Sequence, residues 1–451
     1  MNITDSHLDK ISVDRMFIVN CYTEMLSRIN ETAVVDLINA KLDGSKKAGN
    51  ELPDEKIIQA LSIYFQLITL VEENAATQYR RRLEDQDKIT TMRGSWAEAL
   101  NIWKYANISE DEMLQAIAAT HIMPVLTAHP TEAKRITVIE IHRELYLLLV
   151  QKENTSLSKV EEVVIRENII NLLERWWRTG EIYLEKPDIR DERANAVHYL
   201  SKVFPVVLKN ADNQLKSSWT TVGLSASKIK NPDLFPKISF GSWVGGDRDG
   251  HPFVSAAITK ETLLLHRKTA LALVREELVT LVKKLSISAI TNPVPFELFE
   301  AIDQKAKVLG ELGKIAIERN HYEPWRQFVN LVIVQFDNTI SENYANSGTY
   351  YKSSKDLEKD LKFLRDVLVK NGLKSIAEDV LFSVERSVKT FAFHLAKLDI
   401  RQNSSFHDKA ITQILKVNGL IEFDFENWDE EKRVHYLNHL LESNSLITDI
   451  T

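Results

Sequence analysis

The sequence predicts a mostly helical protein in which a few short parallel strands carry the polar residues of one site. Three observations support this fold class. Apolar residues recur at helical spacing along most of the chain. Only three short stretches are typical of strands: Pro124–Leu126, Lys237–Trp243 and His394–Arg401. Long helical segments separate them, which is the order of a parallel α/β sheet or barrel, where reactive groups gather at the strand carboxyl ends.

Composition excludes several classes of protein. Of the 451 residues, 44% are hydrophobic and 27% charged, which is typical of globular chains with a core. A net charge of -7 gives no general attraction for nucleic acid, and Arg80–Arg82 is expected to be a solvated or ion-paired face. Cys21 is the only cysteine, no apolar run approaches a membrane span, and the N-terminus has no signal core. A cytoplasmic protein is expected.

Residues 1–120 are predicted to form an N-terminal helical region, and residues 121–451 a second region with strands and long helical insertions. In Lys56–Glu73 eight apolar residues recur at helical spacing. Ser158 with Glu161 is a capping-box pattern that predicts a helix start. Later helices are predicted over Val160–Trp177, Val197–Leu208, Ala256–Leu285, Glu297–Asn320 and Trp325–Glu342, followed by one from Ser353 to Asn371–Gly372.

The first strand ends at His129, which precedes Pro130 at the predicted start of a helix. Free amides and the positive end of the helix dipole favour an anion there and disfavour a protonated imidazole. A neutral histidine beside a bound anion can accept a proton. A lone histidine is more commonly a core residue, and the neighbouring Thr127, Thr131 and Glu132 favour the functional interpretation.

The second strand leads into Gly241–Gly250, which holds four of the 14 glycines of the chain. Such crowding lets the backbone approach a ligand or another segment closely. The segment lacks the pattern of a Walker loop, a dinucleotide fingerprint or a calcium loop. Asp247 and Arg248 could belong to a functional loop or form an ion pair in a glycine-rich turn, and both interpretations stay open.

The third strand ends at Arg401. An arginine at a strand end is suited to binding phosphate in bidentate fashion, although it could instead pair with Asp399. On local evidence, Trp243 is expected to be a packing residue. The histidines at positions 394, 407, 435 and 439 show no metal-ligand spacing, and no metal site is predicted in this chain.

Taken together, these segments resemble phosphoenolpyruvate carboxylase. The resemblance rests on VLTAHPTEAKR at Val125–Arg135, FGSWVGGDRDGHP at Phe240–Pro252 and LAKLDIRQNS at Leu395–Ser404, with weaker agreement in YFQLITLVEENAA at Tyr64–Ala76, RGSW at Arg93–Trp96 and KPDIRDERA at Lys186–Ala194. The family order is kept across nearly the whole chain. One departure is His251–Pro252–Phe253, where the family usually has Asn–Pro–Asn.

The resemblance implies a carbon–carbon lyase that carboxylates phosphoenolpyruvate with bicarbonate to oxaloacetate and phosphate. It implies Mg²⁺ or Mn²⁺ as cofactor and a homo-oligomer, with neither nucleic acid nor membrane as partner. His129 would deprotonate carboxyphosphate, and Arg401 would bind the substrate phosphate. Asp247 and Arg248 would shape the pocket floor, and Trp243 would line the apolar side that keeps carbon dioxide from water.

The resemblance also implies that the chain corresponds to the N-terminal part of such an enzyme. The glycine- and arginine-rich GRGGS-type loop and the metal ligands of the family are missing from this sequence. The expected fold is therefore a partial (β/α) barrel wrapped by helices, inactive by itself. A truncated chain, an incomplete reading frame and a stand-alone relative stay open. The alternative is a non-catalytic helical scaffold or interaction protein derived from the family, although the intact reactive residues favour the enzyme.

Overall fold

The computed structural model describes residues 3–42, 52–127, 136–180, 188–249, 253–344, 346–420 and 425–442. Its backbone contacts divide the chain into two compact units. One unit consists of residues 1–113, 131–187 and 213–227, and the other of residues 114–130, 188–212 and 228–451. Helices dominate and the strands are short and parallel, as predicted. The predicted domain division after residue 120 stays a prediction.

The helices and strands follow in chain order. The helices are α1 (Ile3–Arg28), α2 (Thr32–Leu42), α3 (Asp54–Asp85), α4 (Trp96–Tyr105), α5 (Glu110–Ala119), α6 (Ile136–Lys152), α7 (Lys159–Thr179), α8 (Ile189–His198), α9 (Phe204–Thr221), α10 (Ala256–Lys284), α11 (Phe296–Leu309), α12 (Glu311–Glu318), α13 (Pro324–Ile340), α14 (Ser354–Lys370), α15 (Lys374–Ile376), α16 (Phe382–Phe391), α17 (Ser404–Val417) and α18 (Glu430–Glu442). The strands are β1 (His121–Ile122), β2 (Val125–Leu126), β3 (Lys237–Ile238), β4 (Gly241–Ser242) and β5 (Lys397–Leu398).

The strands form two small parallel sheets. β1 pairs with β3, and β2, β4 and β5 lie side by side in that order. Within the described ranges this sheet is open, so the structure supports short parallel strands but does not confirm a barrel. The third strand begins at Lys397 rather than His394, because Leu395 has a positive φ of 64° that turns the chain just before β5, and it ends at Leu398 rather than Arg401.

The first unit has a helical core built from α1, α2, α3, α6 and α7. Tyr22, Leu67 and Trp176 are buried at its centre. The helix predicted over Lys56–Glu73 lies within α3. The predicted capping box is confirmed at the start of α7, where the Ser158 amide donates to the Glu161 carboxylate at 2.8 Å and the Ser158 hydroxyl accepts from the Glu161 amide at 3.3 Å.

The second unit packs α10, α11, α13, α14 and α16 around Trp325, Phe328 and Phe336. One predicted helix is wrong in its extent. Residues 297–320 form two helices, α11 and α12, separated at Gly310 with φ +62°. A glycine in this left-handed conformation ends a helix without the steric cost that other residues meet, so the chain turns there despite favourable apolar spacing.

The second unit also buries charged side chains between helices. Arg386 on α16 donates two hydrogen bonds to Asp212 on α9, from Nε at 2.8 Å and from Nη2 at 3.0 Å. Both residues are almost completely buried. Arg365 on α14 forms an ion pair at 3.2 Å with Glu385, and burial raises the pKa of Glu385 to about 7 despite the nearby guanidinium. Removing one partner of such a buried ion pair would leave the other charge uncompensated and would destabilise the fold.

The buried carboxyl of Glu277 on α10 should make the free energy of unfolding depend on pH. Burial raises the pKa of its carboxyl to about 8, so the folded state holds a proton that the unfolded state releases near pH 4.5. Stability from this group is therefore greatest at low pH and falls as pH rises towards 8. We expect Glu277→Gln to remove about 1–2 kcal/mol of the loss between pH 6 and pH 8, because glutamine has no proton to release in that range. Urea unfolding at both pH values measures this change, and an unchanged pH slope would contradict it.

Among the described residues, no helix combines the length and the apolar character needed to cross a bilayer. Cys21 is buried and is not in a disulfide.

Candidate active site

The carboxyl ends of β2, β4 and β5 lie next to one another. The amide of Trp243 donates to the carbonyl oxygen of Leu126 at 2.8 Å, and the amide of Asp399 donates to that of Ser242 at 2.9 Å. Because the strands are parallel and in register, the residues that follow each one reach the same edge of the sheet. This is the edge at which the sequence predicts reactive groups.

Backbone pairing continues past the strands and joins the second and third motifs. Asp247 and Arg401 form a parallel bridge. The amide of Arg401 donates to the carbonyl oxygen of Gly246 at 3.1 Å, and the amide of Arg248 donates to that of Arg401 at 2.9 Å. The structure therefore brings Asp247 and Arg248 together with Arg401, a predicted site residue about 150 positions later in the chain.

The guanidinium of Arg401 is held between an aromatic ring and a carboxylate. Its Cζ lies 3.8 Å from the ring centroid of Trp243, and its Nη1 lies 3.7 Å from Oδ2 of Asp247. The Asp247 side chain is 2% exposed, whereas that of Arg401 is 43% exposed. Stacking on an indole holds the planar guanidinium and leaves its N–H groups able to bind an anion. The interpretation of Trp243 as packing alone is thus incomplete.

Asp399 has a role at this edge that the sequence does not predict. Its Oδ2 accepts a hydrogen bond of 3.1 Å from the indole Nε1 of Trp243. Sequence reasoning considers Asp399 only as an ion partner for Arg401, whose ion pair is with Asp247 instead. Its place in the third motif, two residues before Arg401, could have indicated a position near the site.

The glycines after β4 allow the loop to pack tightly against its neighbours. A Cβ on Gly245, whose φ is +85°, would lie 2.3 Å from the hydroxyl of Thr262 on α10. A Cβ on Gly246 would lie 2.4 Å from the carbonyl oxygen of Asp399. The predicted close approach is therefore present, and its partners are other segments of the chain. It fixes the loop that carries Asp247 and Arg248.

Arg248 differs from Arg401 in its surroundings. The side chain is half-buried, and its Nε makes no hydrogen bond within the part of the chain that the structure describes. Asp249 donates its amide to Oδ1 of Asp247 at 3.2 Å, which helps to hold the buried carboxylate. A buried donor without a partner is unusual in a folded protein and is consistent with a site that receives a ligand.

His129, the predicted proton acceptor, lies outside the described residues, as do Gly250, His251 and Pro252. The described chain reaches Thr127, directly after β2, and resumes at the start of α6. The roles predicted for His129, Arg401, Arg248, Asp247 and Trp243 stay predictions.

The carboxylates at this edge do not fit the Mg²⁺ or Mn²⁺ that the resemblance implies. Asp247 contacts Arg401 and the Asp249 amide, and Asp399 contacts the indole of Trp243. In the ranges described, no group of three or more His, Cys, Asp or Glu side chains is arranged to hold a metal ion. Such a cation usually needs several oxygen ligands, and these two carboxylates do not provide them.

Comparisons with known proteins agree with the motif resemblance. A family model described as phosphoenolpyruvate carboxylase matches residues 39–450. The phosphoenolpyruvate carboxylase of Methylorubrum extorquens is 30% identical over 402 residues, which cover 87% of this chain and 42% of that protein. The phosphoenolpyruvate carboxylase of Gloeobacter violaceus is 29% identical over 399 residues, covering 84% and 41%.

A phosphoenolpyruvate carboxylase of Shewanella loihica is 26% identical over 447 residues, which cover 96% of this chain and 46% of that protein. This chain therefore spans less than half the length of these relatives. The predicted resemblance is confirmed at the level of the family. The chain belongs to the phosphoenolpyruvate carboxylase family.

Proposed function

We propose that this chain carries part of an active site that carboxylates phosphoenolpyruvate with bicarbonate, giving oxaloacetate and phosphate. One observation carries the proposal. The partly exposed guanidinium of Arg401, stacked on Trp243, lies at the carboxyl ends of parallel strands in a member of this family. Guanidinium groups bind phosphate oxygens through two parallel charge-assisted hydrogen bonds. A partial (β/α) barrel is the scaffold that we propose around these strands.

In the proposed reaction, an oxygen of bicarbonate attacks the phosphorus of phosphoenolpyruvate. The bond between phosphorus and the enol oxygen breaks, leaving carboxyphosphate and the enolate of pyruvate. Arg401 would bind the phosphoryl oxygens throughout and stabilise the charge that develops on them. The half-buried donor of Arg248 lies on the neighbouring loop and would add a further hydrogen bond.

His129 would then take the carboxyl proton of carboxyphosphate. The carbon–oxygen bond to the phosphate breaks, releasing carbon dioxide and phosphate, and the enolate carbon attacks carbon dioxide to form oxaloacetate. The proton leaves His129 with the phosphate. Trp243 would provide an apolar wall that keeps water from the enolate and from carbon dioxide. The predicted Mg²⁺ or Mn²⁺, cytoplasmic location and homo-oligomer stay predictions.

Calorimetric titration of the 451-residue chain with phosphoenolpyruvate, without added metal, tests the proposed binding role of Arg401. We expect weak binding by the wild type and at least about tenfold weaker binding by Arg401→Ala, because two hydrogen bonds to a charged group are lost. Arg275→Ala is a matched control, since Arg275 is a surface arginine paired with Asp337 elsewhere in the same unit. Equal affinities of the wild type and Arg401→Ala would contradict the proposal.

A coupled assay tests the prediction that this chain does not turn over by itself. Malate dehydrogenase would report oxaloacetate in the presence of phosphoenolpyruvate, bicarbonate and Mg²⁺. We expect no oxaloacetate above the background of the Arg401→Ala chain. Formation of oxaloacetate by the wild type alone would show that the described residues and their neighbours suffice for catalysis. The scaffold alternative would instead be favoured by a wild type that binds no phosphoenolpyruvate.

A further inference from the structure

We infer that Asp399 is a positioning residue for Arg401 and that it acts through the indole of Trp243. The contacts form a short chain. The Asp399 carboxylate accepts from the indole Nε1 at 3.1 Å, and the ring of that indole lies 3.8 Å from Cζ of Arg401. The inference rests on the proposed function in one respect, namely that Arg401 binds phosphate.

The position of Asp399 is itself fixed by its backbone. Its amide donates to the carbonyl oxygen of Ser242 at 2.9 Å, and its own carbonyl oxygen lies against Gly246. Arg401, two residues further along, is held at the same strand end by its amide, which donates to the carbonyl oxygen of Gly246 at 3.1 Å. Trp243, from the neighbouring strand end, contacts both. The Asp399 carboxylate, the indole of Trp243 and the guanidinium of Arg401 therefore form a chain of successive contacts.

The indole needs such an anchor because its N–H is half-buried. A buried indole N–H without an acceptor costs free energy, so the ring takes the orientation in which Nε1 reaches the carboxylate. A charged acceptor strengthens this bond and increases the electron density of the ring face, which favours a stacked cation. Asp247 restrains the orientation of the Arg401 guanidinium less than the indole does, since Nη1 of Arg401 lies 3.7 Å from Oδ2 of Asp247.

Positioning and simple electrostatics predict opposite results for Asp399→Ala. If Asp399 were only a negative charge near the site, its removal would strengthen the binding of an anion. If Asp399 positions Arg401, its removal frees the indole and the guanidinium, and anion binding weakens although a repulsive charge has been lost. Asp399→Asn separates the two effects, because the amide oxygen can still accept from Nε1 without the charge.

The first measurement is calorimetric binding of phosphoenolpyruvate and inorganic phosphate to the full chain. We expect Asp399→Ala to weaken binding about fivefold and Asp399→Asn to bind at least as well as the wild type. Trp243→Phe keeps a ring but loses the N–H, so adding Asp399→Ala to it should not weaken binding further and can only strengthen it through the lost charge. Binding by Asp399→Ala equal to or tighter than that of the wild type, with Arg401→Ala weakened, would overturn the inference.

A second measurement does not depend on ligand binding. The side-chain N–H signal of Arg401 can be assigned by NMR from its absence in Arg401→Ala, and stacking on the indole should shift it upfield. We expect Asp399→Ala to abolish this shift and Asp399→Asn to keep it. If no variant binds phosphate differently from the wild type, the proposed function fails, and the NMR shift still decides the positioning role. A shift that persists in Asp399→Ala would overturn that role.

Discussion

Replacement of Asp212 by alanine is expected to lower the free energy of unfolding by about 3–5 kcal/mol. Asp212 accepts two hydrogen bonds from Arg386, and the side chains are only 6% and 3% exposed. Without the carboxylate, the guanidinium would stay buried between α9 and α16 with its charge uncompensated. Urea unfolding followed by circular dichroism measures the change.

The exposed pair of Arg275 and Asp337 is a matched control. Arg275 donates to both carboxylate oxygens of Asp337, at 2.6 and 3.1 Å, in the same bidentate geometry. The two side chains are 46% and 41% exposed, so we expect Asp337→Ala to cost no more than about 1 kcal/mol. If Asp212→Ala and Asp337→Ala lowered the free energy of unfolding by similar amounts, burial would not be the reason for the large effect expected at Asp212.

Replacement of Gly246 by alanine is expected to destabilise the protein by about 1–3 kcal/mol and to weaken phosphate binding. The new Cβ would lie 2.4 Å from the carbonyl oxygen of Asp399 and 3.0 Å from Cγ of Leu398. A backbone oxygen cannot rotate away as a flexible side chain can, so β5 must shift relative to the loop after β4. That shift would move Arg401 away from Trp243. Unfolding in urea and calorimetric titration of phosphoenolpyruvate measure the two effects.

Gly372→Ala separates steric contact from backbone strain. Gly372 follows α14 with φ +77°, and a Cβ there would meet no heavy atom within 4 Å. Its replacement should cost about 1 kcal/mol through the left-handed backbone and leave phosphate binding unchanged. A Gly246→Ala protein with wild-type stability and affinity would show that the loop is not packed against β5 as described.

The sequence identifies the stretches that contain β2, β4 and β5 because each signal there is local. A short apolar stretch followed by charged residues or glycines indicates a buried strand and the loop after it. The parallel order of β2, β4 and β5 follows from the long helical segments between them. The pairing of Asp247 with Arg401 then results from adjacent, in-register strand ends.

Other features depend on contacts that no local pattern contains. The bond between Asp399 and Trp243 joins side chains 156 positions apart and requires the register of two strands. Ile400 is 54% exposed although alternation predicts a buried residue, because β5 ends at Leu398. The close packing of α12 against α11 is also absent from any local pattern, since a Cβ on Gly313 would lie 2.5 Å from the carbonyl oxygen of Ala306.

The proposed division of labour at the site follows from these contacts. In this proposal Arg401 would supply the charge that binds phosphate. The indole of Trp243, which contacts the guanidinium, would support it, and Asp399, which accepts from that indole, would hold the ring in place. The buried Asp247 limits the movement of the guanidinium on its other side. Each of these roles predicts a different response to substitution, so binding measurements on single variants can separate them.

A crystal structure of this chain with phosphoenolpyruvate bound would show whether the proposed residues surround the ligand. We predict that the phosphate lies within hydrogen-bond distance of the Arg401 guanidinium, with Trp243 stacked beneath it and the imidazole of His129 facing the same ligand. A ligand bound elsewhere, or an imidazole of His129 on the opposite side of the molecule from Arg401, would contradict the proposed site and the mechanism built on it.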